Sequence, residues 1–223
     1  MNIERIKLYH FPMSRSVRIK WLLLELIGNN FDTEQVALYE GQQYQDQYLQ
    51  RNPNHAVPVL DFTLDDGSVF SMIESGAMVS LLADLYPEKR LAPAAKPFST
   101  ARADYLQMLH FASSWMDMML WQLRLHIDLF TEAERDERTI ARYKDKISNE
   151  VEPQLKQRLA SGNYICGEQF CAVDCVVGHN ILWAKMYGLC SDPTFSQYLR
   201  KLAERPAYQA AFADRDQFKA SPH

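Results

Sequence analysis

Hydrophobic positions in the first third of the chain change period several times, and each change marks an element. Arg5 to His10 alternates, with Ile6 and Leu8 on one face, which predicts a strand. Phe11-Pro12-Met13-Ser14 breaks the alternation as a loop. Val17, Trp21, Leu22, Leu24 and Leu26 then supply the apolar content of a helix, with Ser14 as its N-cap and Gly28-Asn29-Asn30 at its end. Phe31 to Leu38 predicts a second strand, and Tyr44 to Gln50 a short polar helix. Val59 and Leu60 begin a third strand, Asp65-Asp66-Gly67 supplies the chemistry of a tight turn, and Val69 to Ser71 runs back as a fourth. Glu74-Ser75 opens a helix carrying Met78, Leu81, Leu82 and Leu85 at helical spacing. A βαβ unit followed by a hairpin and a helix predicts a small mixed sheet flanked by helices, for which about 85 residues suffice.

The pattern changes after Tyr86. Pro87, Pro93 and Pro97 fall within a dozen residues, so 87–97 reads as a linker between a first domain, 1–86, and a second, 98–223. The second contains no convincing strand. Phe98 to Phe130 and Arg135 to Leu159 are long stretches of good helix formers, the latter kinked at Pro153 and ended by Gly162. Cys171-Ala172-Val173-Asp174 has the spacing of a capping box ahead of the apolar run Val176 to Leu189. A thiol is a weak acceptor, so Asp174 must do most of that capping. Two short helices, Thr194 to Ala203 and Ala207 to Arg215, are separated at Arg205-Pro206.

Composition narrows the function classes. At 47% hydrophobic the chain can build a real core. A net charge of −4 argues against a nucleic-acid partner. No apolar run approaches a membrane span and Met1-Asn2-Ile3-Glu4 lacks the shape of a signal peptide, so a cytoplasmic protein without a membrane partner is expected. Cys166, Cys171, Cys175 and Cys190 form no C-x-x-C pair and read as buried free thiols. The six histidines lack zinc-like spacing, so no metal is expected.

The candidate chemistry lies around the hairpin. Pro58 stands at a strand start, where a missing N–H does no harm, and leaves the backbone of Val57 able to pair with an extended peptide. Ser75 near a helix N-terminus suits a carboxylate, and Glu74 beside it suits an ammonium group. Together they would grip a small peptide with an amino-acid head. On these residues alone, an ordinary hairpin followed by a capped helix accounts for the pattern equally well.

Residues spread over the whole chain carry a family resemblance. They are Leu8 to Arg18 (Leu-Tyr-His-Phe-Pro-Met-Ser-Arg-Ser-Val-Arg), Asn52-Pro53 through Val57-Pro58-Val59-Leu60, Glu74-Ser75, His110-Phe111-Ala112 and Cys171 to Asp174. With them the chain resembles the cytosolic glutathione S-transferases, of the bacterial type with a serine active site. The resemblance implies an α/β thioredoxin-like N-terminal domain joined to an all-α C-terminal domain, a cis Pro58 and a homodimer. It implies that Val57 pairs its backbone with the cysteinyl part of glutathione, that Glu74 accepts the γ-glutamyl ammonium, and that Ser75 holds the γ-glutamyl carboxylate. Ser14 would be catalytic, donating to the sulfur; Ser16 is the other candidate, and Tyr9 falls too early. Many relatives carry a basic residue where this chain has Ala56, so either His55 or Gln42 would hold the glycyl carboxylate or affinity would be weaker.

The Met- and Trp-rich stretch from Met108 to Trp121 reads mainly as core and dimer interface. Part of it, His110, Ser114 and Trp115, would join Phe11 and Met13 around a small hydrophobic electrophile. The expected function is conjugation of glutathione, as co-substrate and without a cofactor, to such electrophiles in detoxification. A glutathione-dependent isomerase or disulfide reductase would use the same thiolate. A non-catalytic interaction protein of the same fold is the reading from a different class.

Overall fold

The computed structural model describes residues 1–218. The chain forms two compact units, Met1–Lys89 with Pro206–Phe218, and Arg90–Arg205.

The first unit is built on β1 (Ile3–His10), β2 (Asp32–Gln35), β3 (Val59–Leu64) and β4 (Val69–Met72), in the order β2-β1-β3-β4. β1 and β2 are parallel, whereas β1–β3 and β3–β4 are antiparallel. This is the mixed sheet expected of a thioredoxin-like unit. Leu8 lies opposite Leu60, and Ile6 opposite Phe62, so one face of the central pair is continuously apolar and buried. α1 (Ser16–Ile27) crosses from β1 to β2, and α3 (Ser75–Leu85) packs beside it. At the hairpin Gly67 takes φ 81°, and the Asp66 carboxylate accepts from the Ser68 N–H at 2.9 Å.

Three local expectations are corrected. β2 stops at Gln35 rather than Leu38. Val36 N–H still reaches the His10 carbonyl at 2.9 Å, but Ala37 N–H is taken by Gln42 Oε1 at 2.6 Å, which turns the backbone out of the sheet. The polar helix is only one turn, α2 (Asp46–Leu49), after two short 3-10 turns. Ser14 is not the N-cap of α1: that position is Arg15, with no side-chain cap, and the Ser14 hydroxyl is engaged elsewhere.

The tail also departs from the expected division at 98–223. α10 (Pro206–Ala211) and the turn Arg215–Gln217 belong to the first unit. Tyr208 and Phe212 stack on each other with ring centroids 4.4 Å apart, and both meet the Trp21 ring of α1 edge-on. Burying three aromatic rings is worth several kcal/mol, which fixes the tail there.

The second unit is helical: α4 (Thr100–His110), α5 (Asp117–Arg124), α6 (Glu137–Lys146), α7 (Glu152–Ala160), α8 (Ala172–Met186) and α9 (Pro193–Ala203). The two long stretches carry π turns at Phe111–Met116, Leu125–Leu129 and Ile147–Val151. Side chains take helix carbonyls at the first: Ser113 Oγ donates to Leu109 O at 2.7 Å, and Asn180 Nδ2 to Ala112 O at 2.7 Å. The third precedes Pro153, which has no N–H to offer the ladder and stands in the first turn of α7. Ala160 ends that helix. Gly162 is required by close approach, since a Cβ there would meet the Gly167 carbonyl carbon at 2.8 Å. α8 is buried almost all round, with Val173, Val176, Val177 and Ile181 fully enclosed.

Candidate functional site

The Val57–Pro58 bond is cis, and β3 begins at the next residue. Two side chains hold the approach: Tyr48 Oη and Asn52 Nδ2 donate to the Ala56 carbonyl at 2.8 and 2.7 Å. Beneath it the Val57 side chain packs with Tyr9, Phe11, Tyr48 and Val59. The amide of Val57 enters no hydrogen bond among the described residues, which leaves it open to an extended ligand.

The second part of the candidate site is the start of α3. Glu74 holds φ 74° as N-cap and is exposed, whereas Ser75 is buried. Arg18, fully buried in α1, donates Nη1 to Ser75 Oγ at 3.2 Å. A hydroxyl that accepts from a guanidinium keeps its own hydrogen for another acceptor. The first amides of α3 and the Arg18 charge both favour an anion here.

The third part is a chain of side chains under the loop after β1. Ser14, half-buried, sits with its Oγ 2.7 Å from Phe11 O and 2.7 Å from Ser16 Oγ, and it accepts the Ser16 N–H at 3.2 Å. Ser16 is 0% exposed; its Oγ accepts the Phe11 N–H at 3.0 Å and lies 2.7 Å from His10 Nδ1. His10, only 2% exposed, places Nε2 3.2 Å from Asp214 Oδ2. The same oxygen accepts from Lys20 Nζ at 2.5 Å. Burial lowers the His10 pKa, against a smaller opposing pull from Asp214, so the ring is neutral at physiological pH. Burial pushes the Asp214 carboxyl up, but the hydrogen bonds from His10 and Lys20 outweigh it and bring the group to about 2. With Asp214 ionised, His10 Nε2 carries the hydrogen and Nδ1 accepts from Ser16.

The expected site residues fall into groups. Val57, Pro58, Glu74, Ser75 and Ser14 all lie in the first unit, as does His55. His55 is exposed at φ 44° with its ring 5.0 Å from Tyr44. Gln42 spends its side-chain oxygen on Ala37. Phe11 is only 4% exposed, edge-on to Tyr39 in the core, while Met13 is half-buried at φ 57°. His110, Ser114 and Trp115 are exposed on the second unit, with Lys146 Nζ 5.4 Å over the Trp115 ring. Among the described residues no group of three or more His, Cys, Asp and Glu is placed to hold a metal ion, and no helix is long and apolar enough to cross a membrane.

His10, Arg18 and Asp214 were not anticipated as site residues. Arg18 stands in the quoted Ser-Val-Arg run, but spacing gives no hint that it reaches Ser75. Asp214 follows His10 by 204 residues, and no local pattern connects them.

Known proteins resemble this chain in sequence and in fold. Residues 8–90 match the family described as glutathione S-transferase, N-terminal domain. Glutathione S-transferase D7 of Anopheles gambiae is 33% identical over 105 residues, covering 47% of this chain and 44% of that protein. The match thus spans less than half the length of this curated relative. A sphingomonad glutathione S-transferase solved in complex with glutathione is 27% identical, covers 95% of this chain and 100% of that one, and superposes with TM-score 0.77. A glutathione transferase of Methylococcus capsulatus is 28% identical over 96% of this chain and 100% of that one, with TM-score 0.73. A glutathione transferase family member from Pseudomonas fluorescens, solved with two glutathione bound, shares the fold at TM-score 0.80 and 24% identity over 94% of this chain and 92% of that one.

Proposed function

We propose that the chain, whose residues 8–90 match the family described as glutathione S-transferase, N-terminal domain, is a glutathione S-transferase that transfers the thiolate of glutathione to small hydrophobic electrophiles. Glutathione lies extended along Val57, its γ-glutamyl carboxylate on Ser75 and the start of α3, its ammonium on Glu74. The observation that carries the reading is that the Val57 edge, Glu74, Ser75 and the Ser14 hydroxyl share one unit, with a buried guanidinium under Ser75. His55 is the side chain for the glycyl carboxylate in place of the basic residue that Ala56 lacks.

The chemical need is ionised sulfur. A free thiol has a pKa of about 8.5, so little thiolate exists at neutral pH. Lowering it by about two units takes ~2.7 kcal/mol of preferential stabilisation. One hydrogen bond to a charged acceptor supplies about 1.5–3 kcal/mol, and the N-terminal end of α1 adds to it. Ser14, half-buried at the head of the side-chain chain, is the donor; Ser16 is fully enclosed and reaches a ligand only through Ser14.

The second substrate is taken as apolar on the strength of Trp115, a large aromatic side chain that is 44% exposed. The protein is further proposed to work as a homodimer in the cytoplasm, without metal or cofactor. The test is binding of glutathione by calorimetry, together with conjugation of a panel of aryl halides and enals. Binding with turnover supports the reading. Binding without turnover on any electrophile removes the transferase assignment.

A further inference from the structure

Resting on that reading, we infer that Ser14, Ser16, His10 and Asp214 form a proton relay that takes the thiol proton of glutathione into the protein, with His10 as its resting place. Consecutive atoms are close enough at every link: 2.7 Å between the two hydroxyls, 2.7 Å from Ser16 Oγ to His10 Nδ1, and 3.2 Å from Nε2 to Asp214 Oδ2. In the resting state Ser16 gives its hydrogen to Nδ1, and Nε2–H gives its own to Asp214.

When the thiol ionises, its proton passes to Ser14 Oγ. Ser14 passes its own to Ser16, and Ser16 its own to Nδ1. One S–H bond breaks and one N–H bond forms, while each hydroxyl ends with one hydrogen. Nothing is oxidised, and the thiolate and the imidazolium balance in charge. Ser16 has reversed direction, and Ser14, whose hydroxyl beforehand donates to the Phe11 carbonyl at 2.7 Å, finishes donating to sulfur. The same event thus removes the proton and creates the hydrogen bond that holds the anion.

Three features support a relay rather than packing. Burial keeps His10 neutral beforehand, so its Nδ1 lone pair is free to receive. The charged groups that act on it are Asp214 from the tail and Lys20 from α1. Asp214 is held ionised, and its second oxygen, Oδ1, is buried without a hydrogen-bond partner among the described residues. A carboxylate in that position accommodates an imidazolium better than a neutral ring. An ordinary imidazole and thiol differ by about two pKa units, a hundredfold, and burial and the Lys20 charge widen that gap at His10; the Asp214 charge and the Ser14 hydrogen bond act together against it. His10 and Asp214 are positioning residues, since both act through Ser16 and Ser14.

The test is nitrogen-15 NMR of the full-length protein labelled in histidine, at neutral pH. Without ligand, His10 is expected to carry hydrogen on Nε2 alone. With glutathione both ring nitrogens become protonated while thiolate absorbance appears; S-methylglutathione, which has no thiol proton, leaves the ring neutral. Asp214→Asn and His10→Gln each raise the bound thiol pKa by about one unit, a tenfold loss of thiolate below it, with the glutathione KM within about twofold. A thiolate that forms while His10 stays neutral overturns the relay and leaves the transferase reading standing. Glutathione that binds without ionising overturns both. Variants that lose thermal stability but keep the wild-type thiol pKa reduce His10 and Asp214 to packing and overturn the relay alone.

Discussion

Two carboxylates, one in each unit, do opposite things with the same chemistry. Asp174, at the start of α8, is fully buried and accepts from Ile165 N–H at 3.0 Å, Cys171 N–H at 2.8 Å and Tyr198 Oη at 2.6 Å. Burial, its largest influence, drives its pKa upward against all three. Its partners are two backbone amides, the Cys171 thiol and a phenol. A hydrogen bond with Cys166 and burial push the thiol upward, and burial pushes the phenol upward, so none changes protonation near neutral pH and Asp174 can only hold a shape. Asp214, in the tail of the first unit, is partly exposed and faces an imidazole and an ammonium. Its partners are side chains, one of which titrates. A carboxylate that answers backbone amides fixes a fold, whereas one that answers a histidine linked to a serine can govern a proton.

The sharpest break of this comparison is at Asp174. Asp174→Ala leaves two backbone amides and a phenol unsatisfied inside the protein and is expected to cost about 3–5 kcal/mol, read as a fall in the urea midpoint of unfolding. A loss under 1 kcal/mol would remove it from the structural role.

Ser14→Ala should act on turnover instead. Removing a donor aimed at developing or resident anionic charge lowers kcat by about a hundredfold, with glutathione affinity within a fewfold and the unfolding midpoint unchanged. Steady-state kinetics with a fixed electrophile measure it, and equal loss in Ser16→Ala alone would move the donor to Ser16.

Ser75→Ala should do the reverse. One hydrogen bond to a carboxylate lost from the ground state raises the glutathione KM about tenfold and spares kcat. A fall in kcat at constant KM would mean that Ser75 does not hold the γ-glutamyl carboxylate.

The smallest effect is the acid dependence of Asp214. Its folded-state pKa, about 2, lies below the ordinary carboxylate value near 3.9. Its contribution to stability is therefore present above about pH 4 and is lost as pH falls from about 4 toward 2. The difference in unfolding midpoint between wild type and Asp214→Asn should shrink over that window. A difference that stays constant from pH 5 to pH 2.5 would contradict the sign.

The two carboxylates also mark what was legible in the sequence. Asp174 was readable because a capping box is local: three residues separate it from Cys171, and an apolar helix follows. The proposed peptide edge is local for the same reason, since Val57-Pro58 and Glu74-Ser75 flank a hairpin whose turn residues announce it. Asp214 was not readable. Its placement depends on Tyr208 and Phe212 finding Trp21, a contact between segments about as far apart as the chain allows, with no local signature. That contact also moves the tail out of the helical unit to which helix propensity had assigned it. The N-cap at Ser14 failed differently. The serine has the right residue type and position, but Phe11 O and Ser16 Oγ compete for its hydroxyl, and the loop bends to satisfy them.

Thiolate absorbance of bound glutathione, titrated from pH 5 to pH 9 in wild type and Ser14→Ala, bears most directly on the central claim. A wild-type thiol that ionises about two units below the free tripeptide, and a variant returned to within a few tenths of it, is the predicted result. Bound glutathione that titrates at its free value in the wild-type protein would contradict the account.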